Sequence, residues 1–329
     1  MDMLLYVLAA LILALVLLDS FMTVVSTRDA GPLTKAWTHP IWGLLLRLHR
    51  KRSIHGVLSY TGPVVLVATI LVWYFGLWLG FFLIFLAGDG SVVESMTKQP
   101  ATALQKAYYT SSTISTLGLG DYLPNGFPWT MFSTLASLVA TIVLTLALSY
   151  VLSVVSAVLQ RRQLAHSIYG LGSTVPEVLD ETRLGKPDSQ LQSHLLTLAS
   201  QIDLQGIKHI AYPILEFFHA PEPKASPSRA VLLLSDAMFL LRQKPDDQRP
   251  PDGVLRLVES SLENYAERSN AEIVSAEEEA ALPDRVREAA SEVPGVDPDS
   301  QEFKKALDDY LERRGVLVAM CNEDGWRMR

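Results

Sequence analysis

Three unbroken apolar stretches, residues 3–25, 63–87 and 129–159, alternate with polar segments along the first half of the chain. The hydrocarbon core of a bilayer is about 30 Å thick and takes about 20 helical residues to cross, so each stretch predicts a membrane span. From Gln163 onward the pattern changes. Shorter segments around 188–219, 228–244, 253–280, 283–292 and 300–318 have helical spacing or composition, separated by Pro-rich breaks such as Pro221-Glu222-Pro223 and 245–251. No convincing β pattern runs through this half. The expected fold class is an all-α membrane protein: an N-terminal span (1–26), a polar loop (27–62), a membrane region (63–162) and a helical domain outside the membrane (163–329).

Charge divides at the same place. Residues 1–162 carry 10 Lys/Arg and 6 Asp/Glu, residues 163–329 carry 18 and 29, so the halves are net +4 and −11 within a total of −7. The acidic second half argues against a nucleic-acid partner. The loop 27–62 sets Arg28, Lys35, Arg47, Arg50, Lys51 and Arg52 against the single Asp29. Basic loops stay in the cytoplasm, which predicts a multi-pass protein of the cell (plasma or inner) membrane with Met1 outside and the C-terminus inside. The first span lacks the basic start and small-residue cleavage site of a secretory signal. Trp37, Trp42 and the run Leu44 to Arg52 suggest either a short helix on the inner membrane face, touching anionic lipid, or a plain orientation signal. Cys321 is the only cysteine, which excludes an intrachain disulfide and any zinc spacing.

Between the second and third apolar runs lies Thr116-Leu117-Gly118-Leu119-Gly120-Asp121. Successive carbonyls of an ordinary strand point to opposite sides. Gly118 and Gly120 can take positive φ, so the carbonyls of Thr116, Leu117, Gly118 and Leu119 can all turn to one side, and the Thr116 hydroxyl adds one more oxygen. Such a file of oxygens can replace the water shell of an alkali cation. Ahead of it, residues 100–115 suit a re-entrant helix of about three turns whose C-terminal dipole end favours a cation.

The run Thr113-Ile114-Ser115-Thr116-Leu117-Gly118-Leu119-Gly120-Asp121-Tyr122-Leu123-Pro124 resembles the pore loop of potassium channels, most closely the second pore loop of two-pore-domain channels. The resemblance covers roughly 100–162. It implies an outer helix at 63–87, a pore helix at 101–115, a filter at 116–121 and an inner helix at 129–160. It also implies K+ coordination at Thr116, Leu117, Gly118 and Leu119, with Tyr108 and Tyr109 packed around the filter. This chain departs from the family at Leu119, where an aromatic is usual, and at Ser112, where an acid often stands. Leu119 can only pack, so the filter is expected to rest on apolar contacts and on a hydrogen bond from Ser112 to Asp121.

One pore loop and no internal repeat mean that four chains are needed, and closed symmetry predicts a homotetramer of this chain with three identical partners. By register, Thr141, Leu144, Leu148 and Leu152 line the cavity, with the lower leucine rings gating by dewetting. No hinge glycine occurs from Trp129 to Gln160. The hydroxyls of Ser133, Ser137, Thr141, Thr145, Ser149 and Ser153 serve either back-bonding or close helix packing. Asp19 is an intramembrane acid, expensive there and so open to two readings. It has a structural role with Thr23 or a basic neighbour, or it takes part in gating or proton sensing. No span carries a regular arginine series, so voltage sensing of that kind is not expected.

In the second half, Gly170-Leu171-Gly172 follows no strand and leads into Pro176, which reads as a linker turn rather than a dinucleotide fingerprint. His194, His209 and His219 are of the one residue type that can titrate near neutrality, yet scattered helical histidines are usually surface or packing residues. No phosphate loop, metal spacing or nucleophile motif points to an enzyme or a cofactor. The expected function is a potassium-selective channel, with K+ as permeant ion, gated through the inner helices by a signal to the C-terminal domain. The alternatives are a weakly selective Na+/K+ channel and a membrane scaffold with a non-conducting pore.

Overall fold

A computed structural model describes residues 2–25, 30–51, 55–180, 190–267 and 276–326. Three helices are long and apolar enough to cross a membrane: α1 (Asp2–Val25), α3 (His55–Ala87) and α5 (Trp129–Tyr169). This is a largely helical membrane protein. Between α1 and α3 lies α2 (Pro32–Lys51), a helix of 20 residues where the sequence suggested a short one. α4 (Ala103–Ile114) lies between α3 and α5. The described remainder is α6 (Val175–Val178), α7 (Gln190–Ala211), α8 (Pro227–Arg242), α9 (Asp252–Glu267), α10 (Ala276–Ser291) and α11 (Gln301–Glu323).

Several boundaries differ from the sequence reading: α7 ends at Ala211 rather than 219, α10 begins at Ala276 rather than 283, and residues 268–275 of the expected 253–280 segment lie outside the described residues. α3 starts at His55 rather than 63, because Pro63 removes one hydrogen bond without ending the helix. α5 runs to Tyr169 rather than 160, because Leu164, Ala165 and Ile168 are buried and keep the helix amphipathic after its apolar run ends. The chain is also not wholly helical. Strands β1 (Val92–Glu94) and β2 (Tyr122–Pro124) pair antiparallel in the register Val92↔Pro124, Val93↔Leu123, Glu94↔Tyr122.

The chain divides into two compact units, Met1–Ile41 with Pro63–Val154, and Trp42–Gly62 with Val155–Arg329. In the first, α1 packs on α3 at Gly76 and Gly80. A Cβ on Gly76 would lie 2.5 Å from Val16 Cγ2, and one on Gly80 would lie 2.6 Å from Leu13 Cγ. This is the close approach that small residues four apart permit in membrane helices. On α5, Ala136, Ala140, Val143, Ala147 and Tyr150 are buried at alternating steps of four and three, which defines one packed face.

The second unit has its own core. α8 is buried on nearly all sides, from Ala230 to Leu241, and packs on α6, α9 and α11 within a core that also takes in apolar residues of α5, α7 and α10. Ser226 caps α8 and Ser300 caps α11, each accepting a backbone N–H of the first turn. The Arg314 guanidinium clamps the Asp236 carboxylate from two nitrogens at 2.7 and 3.1 Å, and Tyr310 donates to the same carboxylate at 2.6 Å. Burial, and next the Asp324 carboxylate, push the Cys321 thiol up to about 12, which makes it a packing residue rather than a nucleophile.

Candidate functional site

The loop 116–121 is placed by the helix before it and the strand after it. Thr102 caps α4, exchanging hydrogen bonds with Gln105, so the helix begins at Ala103, three residues beyond Pro100. At the other end, four carbonyls would ordinarily lack partners, and here each finds one. Ser111 accepts from Ser115 N–H, Ser112 from the N–H groups of Leu117 and Gly118 at 3.0 and 3.3 Å, and Thr113 from Thr116 N–H. Tyr74 of α3 donates to the Ile114 carbonyl at 2.9 Å, while Ser137 of α5 donates to that of Thr113 at 3.0 Å. Trp78 of α3 adds a bond to Ser111 Oγ at 2.9 Å. The root of the loop is thus tied to the helices on both sides.

Its backbone alternates. Thr116, Gly118 and Gly120 have φ of +59°, +56° and +82°, with the residues between them outside the left-handed region. Left-handed residues at every second position turn successive peptide planes the same way, which a strand cannot do. The positive φ at Thr116 was not foreseen, since only glycine visits that region without penalty. Among the described residues no donor reaches the carbonyls of Thr116, Leu117, Gly118 or Leu119. Leu117 and Leu119 are 67% and 53% exposed in the single chain.

At the exit of the loop the Asp121 carbonyl accepts from Ser95 N–H at 2.9 Å, and β2 follows at once. The carboxylate of Asp121 accepts from the Tyr108 hydroxyl at 2.9 Å. The bond expected from Ser112 is not made: its hydroxyl donates to the Tyr109 carbonyl on its own helix at 2.9 Å. A serine is too short to leave its helix for Asp121, whereas the phenol of Tyr108 spans the gap. Tyr109 turns the other way, buried edge-to-face on Phe85, with its hydroxyl 2.5 Å from Ser133 Oγ of α5. Of the aromatic pair, only Tyr108 touches the loop's end.

Sequence reasoning missed Tyr74, Trp78 and Lys106, and it did not assign Ser137 to the end of α4. Lys106 is the only charge in 101–115, and that was its signal. Its buried ammonium donates to the Gly88 carbonyl at 2.8 Å, at the C-terminal end of α3. A largely apolar crevice of about 630 Å³ lies beside the loop, with Leu71, Tyr74, Phe75, Trp78, Leu117 and Leu119 in its wall.

On α5, Thr141, Leu144, Leu148 and Leu152 share one exposed face, opposite the packed alanines. Leu135, Leu138 and Ile142, also exposed, form a second stripe about a quarter turn away at 100° per residue. Thr141, Thr145, Ser149 and Ser153 each donate to the carbonyl four residues back, whereas Ser133 and Ser137 reach α4. Both expected uses of hydroxyls on this helix therefore occur, divided by position.

Asp19 is fully buried and structural in its contacts, though not with the expected partners. Its carboxylate accepts from Thr34 N–H at 3.0 Å, the Thr34 hydroxyl at 2.6 Å and Trp73 Nε1 at 2.7 Å. The N–H of Thr34 lies in the first turn of α2, where the helix dipole favours an anion. Thr23 instead accepts from Gly31 N–H at 2.8 Å. Gly31 is required here, since a Cβ would lie 2.1 Å from Asp19 Oδ1.

No family model matches the chain, and no solved structure does. The chain is similar to the "Uncharacterized membrane protein YdjJ" of Bacillus subtilis (strain 168), 28% identical over 319 residues that cover 96% of this chain and 92% of that protein. The likeness covers nearly all of both units.

Proposed function

We propose that this chain is one of four identical subunits of a potassium channel of the cell membrane. In this reading α4 is the pore helix, 116–121 the filter, α3 the outer helix and α5 the inner helix, with Met1 outside and the second unit in the cytoplasm. The observation that carries it is the alternation of left-handed φ at Thr116, Gly118 and Gly120 together with unpartnered carbonyls between them. Four such loops about one axis present stacked rings of oxygens that exchange for the hydration shell of a passing K+, without a side-chain charge to trap it.

Two further features support assembly. The face of α5 with Thr141, Leu144, Leu148 and Leu152 is free to line a central cavity, and the adjacent stripe of Leu135, Leu138 and Ile142 is free to meet a neighbouring copy. The crevice beside Leu117 and Leu119 needs cover as well. A less selective cation pathway remains the second reading, because Leu119 brings no hydroxyl to tie the filter and the Tyr108–Asp121 bond holds only its outer end.

Purified protein in liposomes tests this directly. Potassium-driven flux with K+ favoured over Na+ by at least about tenfold is expected; near-equal fluxes select the second reading, and no flux of either ion removes the channel proposal.

A further inference from the structure

Three imidazoles and an indole that are far apart in sequence meet inside the second unit. His49 comes from α2, His55 is the first residue of α3, His219 follows the 3₁₀ turn Pro213–Phe217, and Trp326 follows α11. His55 Nδ1 lies 3.0 Å from His219 Nε2, and His219 Nδ1 lies 2.6 Å from the Asp324 carbonyl. His49 Nε2 lies 3.0 Å from the Gly325 carbonyl. The Trp326 ring stacks on His55 at 4.4 Å and on His219 at 5.3 Å between centroids.

The hydrogen positions follow from the partners. A carbonyl only accepts, so His219 carries its proton on Nδ1. In the neutral ring Nε2 is then a bare acceptor, and His55 must donate to it from Nδ1. A first added proton can sit on His55 Nε2 and leave this bond intact. A second must go to His219 Nε2, and two N–H donors then face each other at 3.0 Å, each on a cation. The bond cannot survive that state.

The charged groups around the cluster come from several elements. Asp324 accepts from Ser228 Oγ at 2.6 Å and pairs with Arg161 at 3.6 Å, while Arg161 also donates to the Leu215 carbonyl. Arg229 of α8 sits 5.4 Å over the Trp326 ring. Among the described residues the Asp324 carboxylate is thus already matched by Arg161, Glu216 lies 3.9 Å from His209, and Arg229 adds positive charge rather than an acceptor for imidazolium. Tyr265, within reach of the same charges, is held neutral by burial, which pushes it up to about 12.

We infer that this cluster is a proton-operated clasp, which fastens residues 42–62 to the C-terminal domain when the histidines are neutral and releases them when the His55–His219 pair is doubly protonated. Burial holds His219 below the ordinary imidazole value of 6.5, with the neighbouring histidines also acting downward. The sign follows: the folded clasp prefers the neutral ring, so its stability is present above 6.5 and is lost as the pH falls below that value. Because α3 begins at His55, release frees the start of the helix that the channel reading makes the outer helix; that consequence for gating rests on the proposed function, while the clasp itself does not.

Hydrogen–deuterium exchange of the full chain in lipid nanodiscs, at about pH 7.5 and about pH 5 with times scaled for intrinsic rates, tests it. Peptides covering 42–51 and 55–62 are expected to exchange at least about tenfold faster at the lower pH. His219→Gln keeps an acceptor for His55 without titrating, and His55→Phe keeps the stack on Trp326 while removing the opposing donor. Either variant is expected to flatten the response. Equal protection of the wild type at both pH values overturns the clasp, as does a full wild-type response in both variants. Parallel flux separates the two readings: a pH-dependent segment without flux retains the clasp and removes the channel, whereas pH-dependent flux with an unresponsive segment does the reverse.

Discussion

Helices α8 and α5 are both rich in apolar residues, but α8 is enclosed by its own chain whereas α5 is covered on one face only. α8 packs on α6, α9 and α11 and shares one core with residues of α5, α7 and α10, so the second unit completes its core within one molecule. α5 buries its alanine stripe and leaves two further faces bare. Lipid can cover one such face, but it cannot satisfy a loop whose carbonyls have no donor. On the proposed channel reading, the difference separates a domain that a single chain finishes from one that needs further copies.

The largest effect expected from this contrast is at the loop. Gly118→Ala puts a Cβ on a left-handed residue and should reduce K+ flux by about a hundredfold or more, while the urea midpoint of the second unit stays unchanged. Retained flux in that variant breaks the comparison, since the loop's backbone would then not be the conducting element. Next in size, Asp236→Ala strands the buried Arg314 guanidinium and should cost about 3–5 kcal/mol in the second unit, read from urea unfolding. A loss below about 1 kcal/mol would mean that water reaches Arg314 and that this core is less complete than α8 implies.

Asp19→Asn turns an acceptor of three hydrogen bonds into a mixed group and should cost about 1–3 kcal/mol, measured as a lower Tm of the detergent-solubilised protein. An unchanged Tm together with altered flux would give Asp19 the gating role that its contacts argue against. Smallest is Tyr108→Phe, which removes the one side-chain tie on Asp121. It should leave the Tm nearly unchanged and lower the K+/Na+ flux ratio a fewfold. If the ratio holds, packing alone keeps the loop in shape and the exit bond is incidental.

Much of the fold was legible in the order of residues. The apolar runs gave the three long helices, because a bilayer length and a helical rise leave little freedom. Helical spacing and proline breaks marked the helices of the second unit, where α7, α8, α9 and α11 start within about two residues of the expected positions but α10 starts at Ala276 rather than 283. Of the loop, the positive φ at Gly118 and Gly120 was readable from residue type, and that at Thr116 was not. The Ser112–Asp121 bond was expected and is absent, because side-chain reach depends on how α4 is turned about its axis.

What the sequence determined by itself was local: which segments are apolar, which backbone positions tolerate left-handed φ, and which segments form helices, though not every helix end. These follow from covalent geometry and solvent transfer, which act over a few residues. Only the tertiary structure decided that Trp73 and Thr34 close around Asp19, that Tyr74 and Ser137 hold the two sides of α4, and that His49, His55, His219 and Trp326 share one site. Partners of that kind are brought together by packing across tens or hundreds of residues. No periodicity records such a meeting, because its free energy exists only once the chain has folded.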